Sequence, residues 1–236
     1  MTNDELQALL TACMTPRDRA LLITLYEGRF RVGEIGEMKW GALKFDGTGV
    51  IVNVTFKTGK PRYIRLVMSK EHLIKWKSDY PEEITDDAFV FLNERRCPLT
   101  YPAVARQLGR ICQRSGITKH ITPHIFRHSR ITHFIQQGVG ESVIKLMMWG
   151  SIDSLMFISY AHLTVADIDR EICKLYGIEP TTTQVSGDAL EPKICPHCKE
   201  MNSPISRHCH ICGHGLDKAT IESDDEFLRY ANENQN

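Results

Sequence analysis

TPHIFRHSRIT at 122–132, MMWG at 147–150 and ISYAHL at 158–163 are the stretches on which the reading of this chain turns. In order they supply His124, Arg127, Trp149 and Tyr160. Pro123 suits the first position of a helix over 123–137, and Thr122 stands where a cap is wanted. His124 and Arg127, three residues apart, then share one face of that helix near its N-terminus. Amide donors at such an end favour an anion, and the planar fork of Arg127 with a donor from His124 suits a phosphate there. The plainer alternative is a helix-start histidine and a surface arginine. Tyr160 carries a phenol with an ordinary pKa of about 10, a poor nucleophile unless cations stabilise its charge as it attacks. Otherwise it is a half-buried tyrosine with its hydroxyl bonded. Trp149 offers one indole N–H donor, or simply a core or hinge ring.

Toward the N-terminus, YEGRFRVGEIGEMKW places Arg31 just past the end of a helix, three residues before Glu34. Glu34 either orients Arg31 or forms a surface pair with it, and Arg29 is a rival for the same role. VTFKTGKPRYIRL reads as two strands joined by a turn, with Lys57 near the tip. A lysine there is either a solvated turn residue or a proton donor reaching into a groove.

The remaining periodicities predict helices over 3–13, over 16–28 with Thr15 as N-cap and Pro16 first, briefly around 32–38, and over 69–80 with Ser69 as N-cap. Further helices are expected at about 100–115, 140–148 and 164–176, the last opened by Thr164 and Asp167 as a capping box. Strands are expected at 50–56, 62–67 and 89–92. The fold class is therefore α+β, a mostly helical body with a small antiparallel sheet.

Net charge is zero overall, but it divides unevenly: 24 Lys and Arg against 19 Asp and Glu in 1–176, and 5 against 10 in 177–236. Between 56 and 130 the counts are 15 and 7, which suits a polyanionic partner or a solvated basic face. No apolar run approaches the roughly 20 residues that span a bilayer, and the acidic start MTNDELQALLTACM is unlike a secretory leader, so a cytoplasmic location is expected. EPTTTQVSGDALEPK has a linker's composition. The expected organisation is a body at 1–177, a linker at 178–193, a cysteine module at 194–216 and an acidic tail at 217–236. Cys13, Cys97, Cys112 and Cys173 are isolated, whereas Cys195, Cys198, Cys209 and Cys212 form two CxxC pairs ten residues apart. Four thiolates at that spacing close a tetrahedral Zn2+ site; a pair of redox dithiols is the alternative.

Taken together, GRFRVGE, the hairpin FKTGKPRYIRL, PHIFRH, MMWG and ISYAHL resemble the tyrosine recombinase (phage integrase) family, over about residues 5–175. The resemblance assigns catalytic roles to Arg31, Lys57, His124, Arg127, Trp149 and Tyr160, with spacings similar to archaeal-type members. Met148 and Phe126 stand where the family usually has Gly and Leu. The resemblance also implies a helical core-binding domain ahead of the catalytic one, and this sequence starts almost at the catalytic domain. By resemblance, Tyr160 cleaves a strand of double-stranded DNA and forms a 3′-phosphotyrosyl link. Arg31 and Arg127 neutralise the transition state, His124 and Trp149 add donors, and Lys57 protonates the leaving 5′ oxygen. No cofactor is implied for that step, and self-assembly on DNA is implied for exchange. The terminal module is similar to zinc ribbons on some archaeal relatives, which suggests an interaction role. Two other activities share these residues: a catalytically idle DNA- or partner-binding regulator, and a type IB-like topoisomerase.

Overall fold

The computed structural model describes residues 1–55, 61–155, 157 and 191–223. The chain divides into two compact units, Met1–Arg130 with Leu190–Asn236, and Ile131–Ala189.

The first unit is built around α2 (Pro16–Gly28), buried almost throughout from Ala20 onward. Its start is as the sequence requires: Pro16 is the first helical residue and the Thr15 hydroxyl accepts from the Asp18 amide at 3.1 Å. α1 (Asn3–Thr11) lays Leu6, Leu9 and Leu10 on the same core, and Thr2 with Glu5 closes a capping box at its N-terminus. α3 (Val32–Gly36) follows α2, and a single 3-10 turn (Trp40–Ala42) leads into the sheet.

The sheet is antiparallel in the order β1 (Leu43–Asp46), β2 (Gly49–Thr55), β3 (Pro61–Leu66). Strand periodicity sets its register. Val50 faces Leu66 and Val52 faces Ile64, all four fully buried, while Asn53 and Tyr63 point to solvent. β1 was not expected from the sequence, because LKFD alone carries too little alternation and is held by pairing with Val50 and Val52. FVFL at 89–92 is not a strand. It makes only isolated bridges, Lys39 with Phe89 and Leu92 with Pro98, and its buried residues fill the core instead.

α4 (Ser69–Ser78) packs along α2, and α5 (Tyr101–Ser115) buries Val104, Leu108, Ile111 and Cys112. Ser69 is not the cap of α4. Met68 takes that position, and the free amides of the helix start are met by Glu27 from the far end of α2. α6 (Pro123–Gln136) begins in this unit, with Phe126 in the main core. β4 (Lys193–Ile194) and β5 (Met201–Asn202) form a two-stranded ribbon that also belongs to this unit, and residues 218–223 are helical.

The second unit contains α7 (Glu141–Trp149), closed by Gly150 in the left-handed region at φ 68°. Its small core is Ile131, Phe134, Ile144, Met148 and Phe157. The helix expected over 164–176, with its Thr164 and Asp167 capping box, lies outside the described residues. Among the described residues no helix is long and apolar enough to cross a membrane.

Candidate functional site

The site grows from the end of α2. Gly28 is the last helical residue, and the ring of Phe30 occupies the space that a Cβ on residue 28 would take. The left-handed turn that ends the helix falls on Arg29, at φ 53° and ψ 31°. Arg29 is fully buried. Its carbonyl accepts a 2.6 Å hydrogen bond from Nη1 of Arg127, which reaches back from α6.

Arg31 follows two residues later as the N-cap of α3. The carboxylate of Glu34 accepts from the Arg31 backbone N–H at 2.7 Å and from its Nη1 at 3.3 Å. The same carboxylate accepts from Nη2 of Arg62 at 2.8 Å. Glu34 therefore orients Arg31. Arg62 lies on β3 at an inward position and stacks over the ring of Phe30, 5.7 Å from its centroid. Its side chain has no solvent exposure, whereas that of Arg31 is 48% exposed. Of the two arginines on Glu34, Arg62 is the buried one and Arg31 the exposed one.

One turn along α6, Arg130 lies over the ring of Tyr26, 5.1 Å from its centroid. His124 is exposed, on the face shared by Arg127 and His128. Burial first, then the charges of His124 and Arg127, hold His128 below the ordinary histidine range. Burial and the neighbouring Arg130 and Arg62 push the Arg29 guanidinium down to about 9 against the pull of Glu27, with Arg127 adding to the depression. At neutral pH it is still a cation.

Glu27 is committed elsewhere, accepting from the amides of Val67, Met68 and Ser69 at 2.6, 3.0 and 2.8 Å and from the Ser69 hydroxyl at 2.6 Å. Arg31 and Arg127, 96 positions apart in the chain, are thus brought to one short loop, residues 29–31. Trp149 ends α7 in the second unit, where it packs against the small core there. Lys57 and Tyr160 lie outside the described residues.

Reading the sequence missed Arg62 and the backbone of Arg29. Arg62 carried a signal: in the alternation of β3 it takes the inward register of Ile64 and Leu66, where an arginine must find a carboxylate. The Arg29 carbonyl had none, since nothing local says that a distant side chain will seat on it.

The cysteine module is a second site. The ligand sulfurs of Cys195, Cys198, Cys209 and Cys212 lie within 4.8 Å of one another, and this cluster can bind a metal ion. Sγ of Cys195 is 3.6 Å from that of Cys212, and Cys198 is 3.5 Å from Cys209. A tetrahedral ion with metal–sulfur bonds of about 2.3 Å needs sulfurs about 3.8 Å apart, so the residues fit. Both knuckles turn alike: Lys199 and Gly213 follow their second cysteines in the left-handed region, at φ 62° and 74°. Burial raises the Cys209 thiol, but the amides of Cys212 and Ile211 and hydrogen bonds from Cys198 and Cys212 more than offset it, leaving it at about 6.

The module is clasped to α4. The Glu71 carboxylate accepts from the Ser203 amide at 3.0 Å and the Ser206 hydroxyl at 2.6 Å, Lys70 pairs with Glu200 at 2.7 Å, and Ile205 packs on the main core.

Comparison with known proteins agrees with this architecture. The chain is 28% identical over 187 residues to Transposase A from transposon Tn554 of Staphylococcus aureus, covering 74% of this chain and 51% of that protein. It is 31% identical over 174 residues to tyrosine recombinase XerC of Bacillus pumilus, covering 68% and 56%. The chain thus spans about half the length of the curated relatives it matches. Among solved structures, the fold is shared with XerA recombinase at TM-score 0.62 and 23% identity, over 77% of this chain and 65% of that one. It is shared with XerH site-specific recombinase bound to difH substrate at TM-score 0.58 and 21% identity, over 73% and 53%. The family model described as Phage integrase family matches residues 1–167, well over half of the chain, and with that match the chain belongs to the phage integrase family.

Proposed function

We propose that this chain carries the catalytic part of a site-specific tyrosine recombinase that cleaves and rejoins double-stranded DNA. The observation that carries the proposal is the seating of Arg127 on the carbonyl of Arg29, two residues from Arg31. It leaves two guanidinium groups at one loop, as a phosphodiester in a transition state requires. In the proposed reaction the phenolic oxygen of Tyr160 attacks phosphorus and its proton passes to solvent. The bond to the 5′ oxygen breaks, and that oxygen takes a proton from Lys57. Arg31 and Arg127 hold the non-bridging oxygens, with His124 and Trp149 as further donors. The reverse attack by a 5′ hydroxyl restores the strand and frees Tyr160.

Support for DNA as partner comes from α5, whose Arg106, Arg110 and Arg114 are exposed at four-residue spacing along one side of the helix. XerH was solved bound to difH substrate and the Tn1549 integrase with transposon right end DNA, which fits the same partner and assembly on it. The metal we propose for the four cysteines is Zn2+, in a structural role, because four thiolates leave no open position for chemistry. A DNA-associated place in the cytoplasm follows from this reading.

The test is a covalent-trapping assay. The full chain is incubated with a library of nicked duplexes, and DNA that stays with protein after denaturation is recovered. Wild type should yield a protein–DNA band and Tyr160→Phe should not, with DNA binding retained. A band that survives Tyr160→Phe removes this tyrosine as nucleophile. Binding without any band from wild type would support the idle regulator instead.

A further inference from the structure

Glu27 stands in the last turn of α2, where the helix dipole disfavours a negative charge, and it is buried there. Among the described residues its carboxylate hydrogen-bonds only to residues 67–69, through three successive amides and one hydroxyl at the start of α4. It acts as a cap for α4 supplied by another helix. These bonds fix the end of α2 to the start of α4. They do so one residue before Gly28 and two before the Arg29 carbonyl on which Arg127 seats.

The next two residues of α4 are held by the cysteine module. Lys70 pairs with Glu200 at 2.7 Å and donates to the Gly47 carbonyl at 3.2 Å. Glu71 accepts from the Ser203 amide and the Ser206 hydroxyl, and both serines are buried between the two CxxC pairs. Residues 67–71 are thus gripped at once by the helix that carries the site loop and by the module. A module this short depends on its metal for its fold, so the order of residues 200–206 follows the metal.

We propose that the metal-loaded module braces the site loop. The brace runs through residues 67–71, Glu27 is the positioning residue that passes it to α2, and metal occupancy sets how firmly residues 28–31 are held. The proposal rests on the recombinase reading only for what the loop then does, which is to place Arg31 and Arg127 for strand cleavage. Glu27 and Glu71 act through the loop and not on DNA.

The experiment uses the full chain loaded with Zn2+, with and without a chelator, and reads residue-resolved amide exchange. Chelation of wild type should raise exchange severalfold at the Arg31 and Ile35 amides, which bond to Glu34 and to the Arg31 carbonyl. Amides in the middle of α5 serve as the control and should not change. Glu71→Ala with metal in place should raise the same amides by a similar factor. Chelating that variant should add little, because both changes cut one link. Glu27→Gln should act likewise from the α2 side. Ser69→Ala removes one of the four bonds to Glu27 and should give a smaller effect in the same direction, which covers a Glu27→Gln chain that does not fold.

A second arm traps covalent complexes on a nicked duplex in single turnovers. Chelation, or Glu71→Ala, should lower the rate at saturating DNA on the order of tenfold or more, as misplacing a catalytic group does. The DNA concentration at half-saturation should change far less. A module that only adds stability would not produce that split.

Exchange at Arg31 and Ile35 that ignores chelation would overturn the brace, as would effects of chelation and Glu71→Ala that add in full. Exchange that responds while the saturated trapping rate does not would remove the positioning role. Wild type that forms no covalent band, with exchange responding as expected, would sink the recombinase reading and leave the brace standing.

Discussion

Nη1 of Arg127 lies 2.6 Å from the carbonyl oxygen of Arg29, so an arginine on α6 is fixed to the loop that carries Arg31. The bond satisfies a carbonyl left open where α2 ends in a left-handed turn, and it takes up one donor of the Arg127 fork.

Arg127→Lys should fail even though it keeps the charge. A single ammonium cannot both seat on the Arg29 carbonyl and grip a phosphate as a fork. The rate of covalent attachment to DNA should fall on the order of 100-fold or more, and Arg31→Ala should cost a similar factor. Combining the two should cost less than the product of the separate effects, because both act on one phosphate. Single-turnover trapping on a denaturing gel measures all three.

Arg62→Ala leaves the Glu34 carboxylate partly buried without its shielded partner. A loss of about 3 kcal/mol in unfolding free energy is expected, together with weaker phosphate binding because Arg31 loses its orientation. Arg62→Met combined with Glu34→Gln should recover much of the stability and little of the binding. Urea titration of wild type, Arg62→Met, Glu34→Gln and the double variant closes the cycle. Recovery of both properties in the double variant would show that the pair does not orient Arg31.

Metal removal should be felt beyond the ribbon. Glu71 and Ile205 tie the segment between the two CxxC pairs to α4 and the main core. Chelation should expose the amides of 193–216 to hydrogen exchange and raise exchange at the N-terminus of α4. Glu71→Ala should sever that coupling, so that chelation then loosens the ribbon alone. Protection of α4 that ignores chelation in wild type would mean the clasp carries no coupling.

His72 on α4 links stability to pH. Burial pushes it down to about 4, against the pull of Glu71 and with Arg19, Lys75 and His210 adding to the depression. The unfolded chain binds a proton there near pH 6.5, as an unperturbed histidine does, whereas the folded one resists it. Its contribution is therefore complete above about pH 6.5 and lost as pH falls toward 4. The loss is of order 3 kcal/mol at full effect. His72→Gln should flatten the decline in Tm between about pH 6.5 and 4, which calorimetry across that window reads directly.

Much of this molecule is determined locally. Thr15 and Pro16 start α2 because a hydroxyl and a ring without N–H suit a helix N-terminus wherever they occur. The alternation of Val50, Val52, Ile64 and Leu66 sets the sheet, since a pleated strand with one buried face admits one register. Two CxxC pairs foretell a cluster of sulfurs because each knuckle is a turn closed within a few residues. Where local signals misled, at FVFL and at Ser69, longer-range partners decided: the core for one, Glu27 for the other. The triple use of Glu34, the inward turn of Arg62 and the grip of Arg127 on a carbonyl 98 positions away are likewise decided only in three dimensions. Their strength comes from burial, and burial is set by how the elements pack. Sequence alone thus determined the elements and the reactive residue types, while the tertiary structure decided which arginine on Glu34 is buried and which is exposed.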